Sequence, residues 1–286
     1  PNSSISILPG PFFTLPTAGP VGAARRPRGG RRRASHFGTT VFLFNSSGWP
    51  QAQAFLDTLK RHSHATRRHK FVAILIETKQ TPPNHIDKSA ILKSKGWQFE
   101  GAPATTTEKG GVSAGVAIAT PNPLISSYFE HFGQFDLSPP NHPGRLSCTY
   151  VDAISKGGVA IFAVYLYDTV GLSPANLEIL AALAIAVREL GIPYIIAGDF
   201  NMSPAILNSS GFPQWVDGQI LATSAPTYED AKSSTILDYF VVAASLTSSA
   251  GSPTRVIDAI DGEGFKGPHF PVFLNFSGNA RAQWVK

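Results

Sequence analysis

Tyr194-Ile195-Ile196-Ala197-Gly198-Asp199-Phe200-Asn201 is an apolar run that stops abruptly in a glycine, a carboxylate and an amide. Apolar, β-branched residues between Pro193 and Gly198 predict a buried strand, with Asp199 and Asn201 emerging together at its carboxyl end. That is the end of the strands at which α/β proteins keep their chemistry. An acid and an amide held there can position a water and grip a phosphate or a metal, and Gly198 predicts a close approach of ligand to backbone. The competing local reading is a strand followed by an Asx turn, in which the aspartate only caps the backbone two residues on.

Outward from this stretch the pattern is regular. Thr39 to Phe44 predicts a strand ending at Asn45. Trp49 to His69 predicts a helix, with Pro50 in its first turn and Phe55, Leu56 and Leu59 as its apolar face. Phe71 to Ile76 predicts a second buried strand ending at Glu77. Gly110 to Thr120, Leu146 to Ala153 and Gly158 to Tyr165 predict further strands separated by Gly, Pro and Asn. Ser173 is placed to cap a helix that opens with Pro174, buries Leu177, Leu180, Ala184 and Val187, and stops at Gly191. After Asp199 come strands over Ile236 to Ala243, Thr254 to Ala259 and Phe270 to Asn275. A doubly wound sheet needs a helix after almost every strand, whereas the connections between Gly110 and Tyr165 read as turns. The fold class is therefore α/β (α+β), with two packed mixed sheets flanked by helices.

The 286 residues carry a net charge of +5 and a pI near 9.4, which invites a nucleic-acid reading, but the charge is unevenly placed. Arg25, Arg26, Arg28, Arg31, Arg32 and Arg33 all precede the first strand, in a stretch without an acidic residue. Removing these six from the 24 basic residues leaves 18 against 19 acidic ones, so the body carries about −1. The organisation expected is a Pro/Gly/Arg-rich extended arm over residues 1–38 and one domain over 39–286. Three readings of the arm stand side by side: a solvated tail, a targeting leader, and a phosphate-binding arm that also seats the chain in a larger complex. Pro1 in place of a methionine gives the expectation of a piece processed from something longer. The single Cys148 excludes an internal disulfide, and no Cys/His cluster has structural zinc spacing. No apolar run approaches a membrane span, so a soluble protein is expected.

Polar residues recur at the strand ends: Asn45, Glu77, Asp199 with Asn201, Asp238 after Ile236-Leu237, and His269 before Phe270-Pro271-Val272. With Phe42-Leu43-Phe44-Asn45, Ile74-Leu75-Ile76-Glu77-Thr78-Lys79, Gly110-Gly111-Val112, Gly115-Val116-Ala117-Ile118 and Val164-Tyr165, they form an ordered set. Gly198-Asp199-Phe200-Asn201, Pro226-Thr227-Tyr228, the segment from Ser234 to Tyr239 and Pro268-His269-Phe270-Pro271-Val272 continue it. From Thr39 to Phe276 the chain resembles the endonuclease/exonuclease/phosphatase superfamily, the fold of apurinic endonucleases and of LINE-type retrotransposon endonuclease domains, a four-layer sandwich.

The resemblance implies that Glu77, with Asn45 beside it, holds Mg²⁺ or Mn²⁺. It implies that Asp199 orients or deprotonates the attacking water, that Asn201 fixes the scissile phosphate and that Tyr165 donates to the developing charge. His269 would stabilise the phosphoryl oxygens, with Asp238 holding its ring. The implied reaction is divalent-metal-dependent hydrolysis of a phosphodiester in DNA or RNA. The alternatives are a catalytically degenerate copy serving as a structural or nucleic-acid-binding subunit, and a phosphatase of small phosphate esters. Retrotransposon kinship implies the nucleus, and an Arg-rich leader an organelle. The chain departs from the family pattern at Pro268, where a carboxylate is usual, at Tyr167-Asp168, where Pro-Asn is usual, and at Thr235-Ile236-Leu237, where an arginine is usual.

Overall fold

The structure is a computed structural model, and it describes residues 38–66, 70–122, 124, 126–127, 137–256 and 267–277, without the side chains of 62–66. The six arginines of the expected arm lie outside the described residues, as do residues 67–69 of the expected first helix and 257–259 of the expected late strand.

In chain order the elements are β1 (Thr39–Asn45), α1 (Trp49–Thr66), β2 (Lys70–Ile76), α2 (Pro82–Ser94), β3 (Trp97–Ala102), β4 (Thr105–Thr106), β5 (Val112–Ser113), β6 (Val116–Pro121), β7 (Ser126–Ser127), β8 (Leu146–Val151) and β9 (Val159–Tyr165). There follow α3 (Pro174–Leu190), β10 (Tyr194–Asp199), α4 (Pro204–Ser209), α5 (Phe212–Trp215), β11 (Gly218–Leu221), β12 (Tyr228–Glu229), β13 (Ser234–Thr235), β14 (Asp238–Ala243), β15 (Thr254–Arg255) and β16 (Val272–Phe276). Two six-stranded sheets form, in the orders β15-β16-β1-β2-β6-β3 and β11-β14-β10-β9-β8-β7. Both are mixed, as the sequence predicts: β1 and β2 run parallel within the first, β9 and β10 within the second, and every other pairing is antiparallel.

Burial on both faces explains the near-continuous apolar runs of the central strands. In the first sheet the period of two still separates the faces. Val41, Leu43, Val72, Ile74 and Ile76 join one large core with the second sheet and α3, while Phe44, Phe71, Ala73 and Leu75 pack against Phe55, Leu56 and Leu59 of α1. The second sheet is covered by α3 through Ile179, Leu180, Leu183 and Val187. The Ser173 hydroxyl accepts the Asn176 N–H, and Gly191 closes this helix in the left-handed conformation at φ +56°. Leu177, expected on the buried face, is instead exposed, and the residue before it, Asn176, is buried.

Two further expectations are corrected, and two elements lie where the sequence raised no expectation. The strand expected over Gly110 to Thr120 is two, because Ala114 and Gly115 both take positive φ and break the extended run. The element α2 and the strand β3 fill the stretch between Ile76 and Gly110, which carries no sequence-based expectation. Only Leu92 of α2 is buried, so that helix has almost no apolar face to read. Finally, a Cβ on Gly198 would overlap the Val164 carbonyl oxygen on the neighbouring strand. The glycine therefore serves the close packing of β9 on β10 and not the approach of a ligand.

Candidate functional site

Two parallel pairs facing each other across one core bring four carboxyl ends together. In register, Asn45 of β1 lies beside Ile76 at the end of β2, one residue before Glu77, and Tyr165 of β9 lies beside Asp199 of β10. The antiparallel strand β14 begins where β10 ends, so Asp238 stands directly opposite Asp199. His269 arrives just ahead of β16 on a single bridge to Tyr228.

These residues make two connected groups. In the first, the Asn45 Nδ2 donates to Asp199 Oδ2 at 2.8 Å, and His269 Nε2 lies 3.9 Å from the same oxygen. His269 Nδ1 lies 2.8 Å from Asp238 Oδ2. Ser47 N–H donates to Asn45 Oδ1 at 3.0 Å, which fixes the amide with its nitrogen towards Asp199. The other oxygen of Asp199 accepts the Asn201 N–H at 2.9 Å. The Asx turn is thus present, and it orients the carboxylate that the strand end delivers. Asn45, Asp199, Asp238 and His269 are all buried. In the second group, the Tyr165 hydroxyl donates to Glu77 Oε1 at 2.6 Å, and Lys79 Nζ lies 3.8 Å from Glu77 Oε2.

Backbone strain concentrates around these groups. Ser47, Glu77, Lys79, Thr169 and Asn201 all hold positive φ, between +49° and +64°, each immediately after or near a strand end. The turn at Glu77 is clamped to the break after β5, where Thr78 N–H donates to Gly115 O at 2.9 Å and Lys79 N–H to Ala114 O at 3.2 Å. A Cβ on Gly115 would lie 2.7 Å from Thr78 Oγ1, so this contact requires glycine.

At Pro268, one of the departures noted in the sequence, the contacts are those of the backbone. Pro268 has no carboxylate to offer, but its carbonyl accepts the Glu229 N–H at 2.8 Å, and the Phe270 N–H donates to Thr227 O at 2.8 Å. His269 is therefore pinned on both sides by backbone. Thr227 also holds Asp238, since its buried hydroxyl accepts the N–H groups of Leu237 and Asp238, each at 2.9 Å. Asp168 is exposed at the rim.

Electrostatics follows from this crowding. Burial opposes a charge on His269, yet the charge and hydrogen bond of Asp238, with Asp199 and Glu77 behind them, push its pKa up to about 9. This favours the imidazolium near neutral pH, with Nδ1 on Asp238 and Nε2 between Asp199 Oδ2 at 3.9 Å and the Asn45 amide nitrogen at 3.4 Å. Burial, followed by the Asp238 charge, pushes the Asp199 carboxyl upward, against the pull of His269, the Asn201 N–H and the Asn45 amide. The cluster titrates as one unit. Burial, followed by the charge and hydrogen bond of Glu77 and the charge of Asp199, raises Tyr165, so its phenol remains a donor.

The geometry limits what two of the site amides can offer a ligand. Asn45 Nδ2 donates to Asp199 and its Oδ1 accepts the Ser47 N–H, which leaves one lone pair of that oxygen for a neighbouring ion. Asn201 keeps only part of its amide for a ligand, because Nδ2 also donates to Leu166 O at 2.8 Å. Ligand atoms of Asp199, Asp238 and His269 lie within 4.8 Å of one another, the spacing of a cation site. Two of the three already satisfy each other through the 2.8 Å bond. Glu77 Oε2 is a hard carboxylate oxygen of the kind that suits a divalent cation, and Lys79 Nζ, 3.8 Å away, is the group such an ion would have to displace or share it with. Arg145, which the sequence did not single out, packs against Tyr165 with its guanidinium 4.8 Å from the ring.

No family description matches this sequence, and no curated protein does. Solved structures do. The chain is 14% identical to the endonuclease domain of TRAS1, a telomere-specific non-LTR retrotransposon, with a TM-score of 0.57 over 84% of this chain and 98% of that one. It is 14% identical to the AP endonuclease LMAP from Leishmania major, with a TM-score of 0.59 over 84% and 88%. It is also 14% identical to the 3′ phosphatase NExo from Neisseria bound to product DNA hairpin, with a TM-score of 0.54 over 83% and 99%. At these identities the likeness establishes the fold, which is that of the endonuclease/exonuclease/phosphatase superfamily. Among the described residues no helix is long and apolar enough to cross a membrane.

Proposed function

We propose that the chain is a divalent-metal-dependent hydrolase of phosphodiesters in nucleic acid. The observation that carries this reading is the pair of neighbouring groups, Asn45–Asp199 with His269–Asp238 against it, and Tyr165–Glu77 alongside, at the carboxyl ends of β1, β2, β9 and β10. Asp199, fixed by two donors, accepts the proton of the attacking water. His269, held by Asp238, would donate to phosphoryl oxygens as negative charge develops on them, and Tyr165 would do so by redirecting the one proton that it otherwise places on Glu77 Oε1. The remaining capacity of the Asn201 amide positions the phosphate. Glu77 Oε2 would hold Mg²⁺ or Mn²⁺, which when bound supplies Lewis-acid stabilisation of the phosphoryl oxygens.

Nuclease and phosphatase neighbours of the fold support phosphoester hydrolysis in general. The nucleic-acid substrate rests on the arginines of the arm, Arg25 to Arg33, as phosphate contacts. The body, at about −1, and the exposed Asp168 at the rim favour a second reading, a small phosphate ester. Rates on supercoiled DNA, abasic-site DNA, RNA and p-nitrophenyl phosphate with Mg²⁺ or Mn²⁺ separate the two. Turnover of a polynucleotide that Asp199→Ala abolishes supports the first; turnover of the aryl phosphate alone replaces it with the second.

A further inference from the structure

Arg145 opens β8 next to the site, and its side chain is buried. Among the described residues no carboxylate lies within ion-pair distance of it. Burying a guanidinium without a counter-charge is costly, so its surroundings must supply something else. They supply two phenol rings. The guanidinium carbon lies 3.5 Å from the centroid of Tyr167 and 4.8 Å from that of Tyr165, and the negative face of an aromatic ring attracts a cation most strongly where water is excluded. Nη1 also donates to the Tyr165 carbonyl at 3.3 Å, and the Tyr165 N–H donates back to the Arg145 carbonyl at 2.9 Å. Arg145 therefore holds Tyr165 at both ring and backbone, one hydrogen bond away from Glu77.

The far side of this arrangement is held equally firmly. Asn176 of α3 accepts the Tyr167 N–H at 2.7 Å and donates to the Tyr167 carbonyl at 3.0 Å. The Tyr167 hydroxyl lies 3.2 Å from His142 Nδ1, and His142 Nε2 lies 3.1 Å from Glu178 Oε2 on the same helix. Tyr167 stands where the family pattern has proline, a residue that could offer the guanidinium no π face.

We propose that Arg145 is a positioning residue: packed against Tyr165 and Tyr167, it sets the Tyr165 hydroxyl on Glu77 Oε1 and so leaves Glu77 Oε2, beside Lys79, as the oxygen free to take a divalent cation. The proposal rests on the reading of Glu77 and Tyr165 as parts of a phosphoesterase site. It assigns a purpose to both the buried guanidinium, without a carboxylate partner among the described residues, and the tyrosine at position 167. A guanidinium that merely filled space would leave the phenol and its acceptor unchanged on removal.

The test follows the Tyr165 phenol by NMR in protein labelled at the tyrosine ζ carbon, with the signal assigned by Tyr165→Phe and its acceptor-free position given by Glu77→Ala. Arg145→Met is expected to move the signal most of the way to the Glu77→Ala position and to weaken Mn²⁺ binding, measured calorimetrically, by about tenfold, the lower end of what losing an outer partner costs a metal site. Arg145→Lys, which keeps the charge without the flat face, is expected to restore neither. A Tyr165 signal at its wild-type position in folded Arg145→Met overturns the proposal. Should that variant fail to fold, Tyr167→Ala removes one of the two rings and is judged by the same two outcomes. Absence of Mn²⁺ binding by the wild type, with the signal moving as expected, supports the positioning role and overturns the metal-dependent function.

Discussion

Replacing Thr227 with valine tests the framework that joins the two halves of the acid–base array. Thr227 is fully buried and uses every polar atom of its backbone and its hydroxyl oxygen. Its N–H donates to Thr235 O at 2.9 Å, its carbonyl accepts the Phe270 N–H, and its hydroxyl accepts the N–H groups of Leu237 and Asp238. Valine keeps the shape and removes the acceptor, leaving two backbone donors without a partner. An unsatisfied buried donor costs about 1–3 kcal/mol. The Leu237 N–H is the less enclosed of the two, so a loss of about 2–4 kcal/mol is expected. Urea unfolding monitored by tryptophan fluorescence measures it, with Thr227→Ser, which keeps the hydroxyl, losing less than about 1.5 kcal/mol. Because the same hydroxyl fixes Asp238, the valine variant also loosens the bond to His269, and the imidazole pKa drops from about 9 towards its ordinary value. A Thr227→Val protein within about 0.5 kcal/mol of wild type, with His269 titrating as before, refutes this account of how the array is held.

The fall of stability with pH supplies a second expectation. Between the ordinary histidine value of 6.5 and about 9, the folded chain keeps a proton on His269 that the unfolded chain has released, so stability declines as pH rises through this window. The difference of about 2.5 pH units, at about 1.4 kcal/mol each, amounts to about 3 kcal/mol. Asp199, raised by burial, acts in the same direction, so His269→Gln should flatten the decline without abolishing it; unfolding curves at pH 6.5 and 9 that fall equally for both proteins contradict the assignment. At the rim, Thr169 is a β-branched residue held at φ +64°. Thr169→Gly is expected to stabilise the fold by about 1 kcal/mol in chemical denaturation, by removing backbone strain that glycine does not feel.

The parts of the fold that could be read directly were those in which one short stretch answers to one physical rule. Ser173, Pro174 and Gly191 bracket α3 because capping is local, and the apolar runs ending at Asn45, Glu77, Tyr165 and Asp199 are strands because both faces are buried. The polar strand ends could be gathered into one set only through their order along the chain, and the parallel pairing of β1 with β2 and of β9 with β10 is what brings them together in space. Features decided by long-range contact were not legible. Nothing local shows that Gly198 is required by Val164, that Ser47 turns the Asn45 amide towards Asp199, or that Arg145 finds two ring faces. The element α2 leaves nothing to read because a helix with one buried residue has no stripe, and the period of α3 does not reveal that Asn176, and not Leu177, is needed inside to hold the Tyr167 loop.

The most direct measurement of the central claim is the rate of plasmid nicking by purified protein at saturating Mg²⁺, compared with Asp199→Ala under the same conditions. Removing a positioned general base costs about 10²–10⁴ in rate. The account predicts cleavage by the wild type that disappears with chelation of the metal and falls at least a hundredfold, about 10² or more, in the variant. Equal rates for the two proteins, or nicking indifferent to the metal, would contradict it.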